Sequence, residues 1–108
     1  MLKLAYRHAA LADLDAIYNI IEADNPRRAL SYVQDIRERC GLLCDHPMKG
    51  RARDDLKPGI RVLAMFGRVV VAYRITPSAI LVTRVFYGGR DFEAILSGHD
   101  DDGDGKPE

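Results

Sequence analysis

The 108-residue chain has no tryptophan and only two cysteines, and its 16 basic and 16 acidic side chains leave no net charge. Each shortage excludes something. Two cysteines cannot staple a disulfide scaffold, and a chain of this length buries enough surface to fold without one. Apolar runs are short: Val69-Val70-Val71-Ala72-Tyr73 is far below the ~20 residues of a membrane helix. The opening Met1-Leu2-Lys3-Leu4-Ala5-Tyr6-Arg7 lacks the apolar block of a secretion signal, so a cytoplasmic location is expected. No segment repeats at the period of a solenoid. Gly-x-Ser-x-Gly, a phosphate loop and zinc-type ligand pairs are all missing.

The zero net charge hides a division. Residues 1–97 hold 15 basic and 11 acidic side chains, a body of +4 that is rich in arginine. Residues 98–108 carry one lysine against five acids and no apolar anchor, so they read as a solvated, disordered tail. One domain over 1–97 followed by that tail is the expected organisation. Asp100-Asp101-Asp102-Gly103-Asp104-Gly105 lacks the spacing and the terminal glutamate of a calcium loop. Cys40 and Cys44 are four apart, on one side of an expected helix, and read as small core residues. A zinc site with His46 would need a second ligand cluster that the sequence does not supply. No metal and no cofactor is expected.

What is present is a readable order of elements. Leu2, Leu4 and Tyr6 alternate with polar or small residues, as in a short strand. Ala10, Leu14, Ile17 and Ile21 then step by four, three and four, the stripe of a helix over 9–23, with Leu11 and Tyr18 widening it. Asp13 and Asp15 fall in its early turns, where negative charge suits the helix dipole. Asn25-Pro26 is a cap and first-turn proline for a second helix reaching about residue 45, striped by Ala29, Val33, Ile36, Cys40 and Leu43. The break between the helices is so short that they should form an antiparallel hairpin. A polar connection occupies 47–59. Strand signals follow at 60–66, 69–75 and 79–87, separated by turn residues, and predict an antiparallel meander. Arg90 to Leu96 reads as one or two helical turns.

This is an α+β fold: an N-terminal strand, a helical hairpin and a small antiparallel sheet in two layers. One sheet face should meet the helices and the other should stay open to solvent or to a partner. Strict alternation along the last strand would put Ile80, Val82, Arg84 and Phe86 on one face. Leu81, Thr83, Val85 and Tyr87 would take the other. Arg51, Arg53, Arg61, Arg74, Arg84 and Arg90, with Tyr87, are the candidate binding residues. Several guanidinium groups on one face or rim could hold a phosphate chain or an acidic peptide. The competing reading is a solvated surface with local ion pairs.

The order of motifs resembles the RelE/ParE superfamily of bacterial toxins. The resemblance rests on Ala12-Asp13-Leu14-x-x-Ile17, Asn25-Pro26-x-x-Ala29 and Pro47-x-x-Gly50-Arg51-x-Arg53-x-Asp55-Leu56-x-Pro58-Gly59-x-Arg61. Val71-x-Tyr73-Arg74-Ile75 and Ile80-x-x-x-Arg84-Val85-x-Tyr87-Gly88-x-Arg90-Asp91 complete it, so it spans residue 2 to about 96. It implies the same fold and the toxin role of a type II toxin–antitoxin pair, in a hetero-oligomer with a small ParD-like antitoxin. The superfamily has an mRNA-cleaving branch and a ParE-like branch that poisons DNA gyrase. For the first, this chain offers Arg61, Arg84 and Tyr87 at best, with Val69-Val70-Val71 where a catalytic arginine is expected. Pro58-Gly59-x-Arg61, Tyr73-Arg74-Ile75 and Arg84-Val85-x-Tyr87-Gly88 look more like the second. The resemblance therefore implies a gyrase inhibitor with no direct sequence-specific hold on nucleic acid. The alternatives are a ribosome-dependent endoribonuclease and a non-toxic antitoxin-binding module.

Overall fold

The computed structural model describes residues 2–98, and the acidic tail lies outside them apart from its first residue, Gly98. Strand β1 (Lys3–Tyr6) leads into helices α1 (His8–Glu22) and α2 (Pro26–Leu42). Strands β2 (Arg51–Ala52), β3 (Arg61–Met65), β4 (Val69–Ile75) and β5 (Ala79–Tyr87) follow, and helix α3 (Phe92–Ser97) closes the described chain. The sheet order is β1-β5-β4-β3-β2. The β3–β4–β5 meander is antiparallel, while β1 joins the free edge of β5 in parallel, Lys3 opposite Ala79 and Tyr6 opposite Val82.

The helical hairpin forms where its caps and stripes dictate. The Asn25 side chain accepts the Arg28 N–H at 3.1 Å, and Pro26 takes the first helical position, where no N–H is needed. Ala10, Leu14 and Ile17 from α1 meet Ile36 and Cys40 from α2 and Leu43 at its C-terminal cap, over Val69, Val71, Tyr73, Ile80, Val82 and Val85 of the sheet. Each large aliphatic side chain buried there contributes about 1.5–3 kcal/mol of transfer free energy. Tyr32, absent from the predicted α2 stripe, is also in this core, at 6% exposure. Leu11, expected to widen the α1 stripe, is instead an exposed apolar residue.

Three sequence expectations are corrected. First, the second face of the sheet is not open. Leu96 of α3 joins Ile60, Ala72 and Phe86 in a second buried cluster, flanked by Leu56, Val62, Val70, Phe92 and Ile95. The turns expected at 90–96 thus form a lid over half of that face. Second, strict alternation fails along β5. Ala72 pairs with Arg84 but Tyr73 pairs with Val82, so Thr83 is an extra residue, a β-bulge. Its hydroxyl donates to the Ala72 carbonyl at 3.2 Å inside the fold. The extra residue flips the phase, so Ile80 and Val82 share the helix-facing core with Val85, while Phe86 falls in the second cluster. Third, the connection 47–59 contains the short edge strand β2, paired with β3.

Candidate partner-binding surface

The basic residues singled out by sequence divide into those tied to their own chain and those left outward. Arg84 is tied most firmly. Its Nε donates to one Asp13 carboxylate oxygen at 2.8 Å and its Nη2 to the other at 3.0 Å. The backbone N–H of Val85 donates to the same carboxylate at 2.8 Å. Beyond Tyr6, β1 no longer covers the edge of β5, and Asp13 on the buried side of α1 takes over as its acceptor. Asp13 is therefore a bracket between helix and strand rather than a charge answering the helix dipole.

Arg61 reaches back along the edge of the sheet, its Nε donating to the Gly50 carbonyl at 3.0 Å and its Nη2 to that of Met48 at 3.4 Å. Arg74 donates to the Pro58 carbonyl and lies against Gly59, whose φ of 80° suits the tight turn there. Tyr73 braces the same connection from inside, its hydroxyl donating to the Pro47 carbonyl at 2.7 Å and accepting the Gly50 N–H at 2.8 Å. Arg53 joins the connection to α3 through Asp55 at 3.0 Å and Glu93 at 2.9 Å. Those two carboxylates hold the Arg53 guanidinium even above its ordinary range, while Arg53 draws the Asp55 carboxyl below its own.

Arg51 and Arg90 remain exposed. Arg51 borders a shallow groove on the half of the second sheet face that α3 leaves uncovered, with Val62, Ala64, Val70 and Phe92 as its apolar part and Lys49 beside them. Arg90 borders the adjoining depression, which shares Ala64, Val70 and Phe92, and sits 5.7 Å from the Phe86 ring. Among the described residues no acidic side chain lines either hollow.

Tyr87 packs against the helix-side core instead. Its ring meets Tyr32 edge-to-face at 5.9 Å, and Tyr32 meets Phe66 at 5.7 Å. Three guanidinium groups cover these rings: Arg28 over Tyr32 at 4.8 Å, Arg39 over Phe66 at 4.8 Å and Arg68 over Tyr87 at 5.6 Å. Phe66 holds a φ of 56° in the β3–β4 turn, an uncommon conformation for a bulky residue. Sequence reasoning missed Arg28, Tyr32, Phe66 and Arg68. The Arg28–Tyr32 pair carries a signal, being four apart on one helix. Arg68 meets Tyr87 only through the register of β4 with β5, which no local pattern reveals.

Cys40 is buried and Cys44 half-buried, and both are free thiols. Burial is the main force pushing the Cys40 thiol up to about 11, with Tyr6 and Arg37 opposing it. Among the described residues no group of three histidine, cysteine or acidic side chains is placed to hold a metal. No described helix is long and apolar enough to cross a membrane.

The comparisons with known proteins agree with this architecture. The family model described as the ParE toxin of the type II toxin–antitoxin system, parDE, matches residues 4–92. A solved structure titled as the chromosomal ParDE TA system from P. aeruginosa superposes with a TM-score of 0.71 at 31% identity, covering 82% of this chain and 97% of that one. A conserved hypothetical protein from Helicobacter pylori aligns over 81% of this chain and 94% of its own at 14% identity and a TM-score of 0.43, too distant to support an argument. A comparison with curated proteins returns no match. With a family model spanning most of the fold and a ParDE structure 31% identical over 82% of the chain, this chain belongs to the ParE toxin family of type II toxin–antitoxin systems.

Proposed function

We propose that this toxin is neutralised by a ParD-like antitoxin in the cytoplasm and, when free, inhibits DNA gyrase. Family membership supports the antitoxin. The choice of gyrase over messenger RNA is carried by one observation, the engagement of Arg84 by Asp13. A ribonuclease on this chain would need Arg61 and Arg84 to stabilise the charge of a pentacoordinate phosphate. Arg84 already has a buried carboxylate on its guanidinium, and Arg61 is spent on the Gly50 and Met48 carbonyls. Neither is presented to a substrate in this arrangement. An inhibitor of gyrase needs a docking surface and no such constellation.

Within the partner-binding set, Arg53, Arg61, Arg74 and Arg84 act by holding the surface in shape. Arg51, Arg90 and Tyr87 are the members that meet a partner. The groove beside α3, apolar within and basic at the rim, fits an acidic amphipathic segment such as an antitoxin tail. The purified free chain is tested in a gyrase supercoiling assay, with and without antitoxin. Loss of supercoiling and accumulation of cleaved complexes, both reversed by antitoxin, is the expected result. Unchanged supercoiling at stoichiometric excess removes the gyrase reading.

A further inference from the structure

The β3–β4 turn keeps a residue that its backbone disfavours. Phe66 and Gly67 are consecutive left-handed residues, with φ of 56° and 71°. Glycine and asparagine take such positions readily, and a bulky aromatic does so only under strain. Core packing does not account for the choice. The Phe66 ring rests against Tyr32, yet the residue is still 38% exposed. A strained and exposed aromatic is a position that binding surfaces retain.

Phe66 lines one hollow of about 400 Å³ together with Asp35, Glu38, Arg39 and Leu42 of α2. The four α2 residues step by three, one and three, the spacing of a single helix stripe, and all are exposed. Leu42 is 53% exposed. Arg39 lies over the Phe66 ring at 4.8 Å, so its charge answers the ring face. Neither Asp35 nor Glu38 has a cation partner among the described residues. One opening therefore pairs two exposed apolar side chains with two unanswered carboxylates, on a body whose balance is otherwise basic.

We propose that this hollow docks a basic, apolar segment of a protein other than the antitoxin, with a large aliphatic side chain of that segment against Leu42 and Phe66 and a lysine or arginine at Asp35 and Glu38. Charge complementarity selects the occupant. The two carboxylates repel an acidic segment of the kind assigned to the groove beside α3, and they repel a nucleic acid backbone as well. A cationic segment gains here an attraction that the basic body denies it elsewhere. The apolar pair supplies the anchor, and the carboxylates set its orientation. The proposal rests on neither the antitoxin nor the gyrase reading, and its five residues lie outside the partner-binding set assigned above.

The test uses the full chain and two synthetic peptides, one of alternating leucine and lysine pairs and one of leucine and glutamate pairs. Each is titrated by NMR with the Phe66 ring and Leu42 methyl signals as readouts. The lysine peptide is expected to shift both signals and the glutamate peptide neither. Leu42→Gln changes an exposed helix position and should keep the fold while weakening the lysine peptide. Phe66→Asn suits the left-handed turn and should weaken the peptide ~10-fold or more, as loss of an aromatic anchor does. Asp35→Asn with Glu38→Gln should weaken binding at low salt and flatten its salt dependence. Unchanged affinity in the Leu42 and Phe66 variants overturns the site, as does equal binding of the glutamate peptide. A lysine peptide held by the acidic residues beyond Gly98 leaves the Phe66 and Leu42 signals in place and also overturns it. Shifts of those signals with protein concentration alone overturn it in favour of a second copy of the chain.

Discussion

Asp13 on α1 and Arg84 on β5 are 71 residues apart in sequence and meet in a two-point ion pair, with the Val85 N–H as a third donor to the same carboxylate. The pair closes the stretch of β5 edge that β1 is too short to cover.

Asp13→Ala leaves a partly buried guanidinium and a buried N–H without their acceptor. Breaking a buried pair on one side costs about 3–5 kcal/mol, a large part of what holds a domain of this size together. Asp13→Asn keeps an oxygen for Val85 and should lose less. Urea unfolding of the three proteins checks the order, wild type above Asn above Ala.

Gly50 is required by space. A Cβ there would lie 2.5 Å from the Tyr73 hydroxyl oxygen and 2.6 Å from its ring, and Tyr73 is fully buried. Gly50→Ala should therefore destabilise the fold by about 1–3 kcal/mol, the usual cost of overpacking. Tyr73→Phe removes the link to Pro47 and Gly50 and should cost about 1–3 kcal/mol. Both losses appear as lowered unfolding midpoints, and the Phe variant should also expose the 47–59 connection to hydrogen exchange.

Stability should fall in alkali. Cys40 is raised from 9.0 to about 11, so the unfolded chain releases its thiol proton at a pH where the folded chain still holds it. Its contribution is fully present below pH 9 and is lost as pH rises toward 11, on the order of 2–3 kcal/mol. Tyr6 and Tyr32 are raised as well, also chiefly by burial, and act in the same direction at higher pH. Cys40→Ala should flatten the pH 9–11 segment of the stability curve. An unchanged slope assigns the alkaline loss elsewhere.

Binding of the antitoxin at the groove beside α3 should depend on salt through its basic rim. Arg51→Gln with Arg90→Gln should weaken the complex at low salt and reduce the difference between low and high salt. Phe92→Ala should weaken it at all salt concentrations, because it removes part of the apolar floor. Calorimetric titrations at two ionic strengths separate these outcomes.

The layered fold was legible because its signals are local. Asn25-Pro26 marks a cap wherever it occurs, and Leu14-Ile17-Ile21 points to one side of any helix. The back face was misread because Phe92, Ile95 and Leu96 make too short a segment to announce itself as a lid. The side-chain phase of β5 was misread because a bulge at Thr83 depends on its partner strand and leaves no periodic trace. Arg84 and Tyr87 were both picked out, yet sequence could not tell which was already occupied. That depended on Asp13, whose place near the start of a helix offered a simpler explanation. Tyr32 fell between the stripes, although it is the ring on which Phe66, Tyr87 and Arg28 converge.

If the free toxin acts on gyrase, DNA synthesis should fail before translation does. The most direct measurement is tightly controlled expression of this chain alone, with DNA and protein synthesis followed separately as growth stops. An early block in DNA synthesis with DNA-damage signalling, and translation declining only later, is the predicted result. Immediate collapse of translation with cut messenger RNA contradicts it.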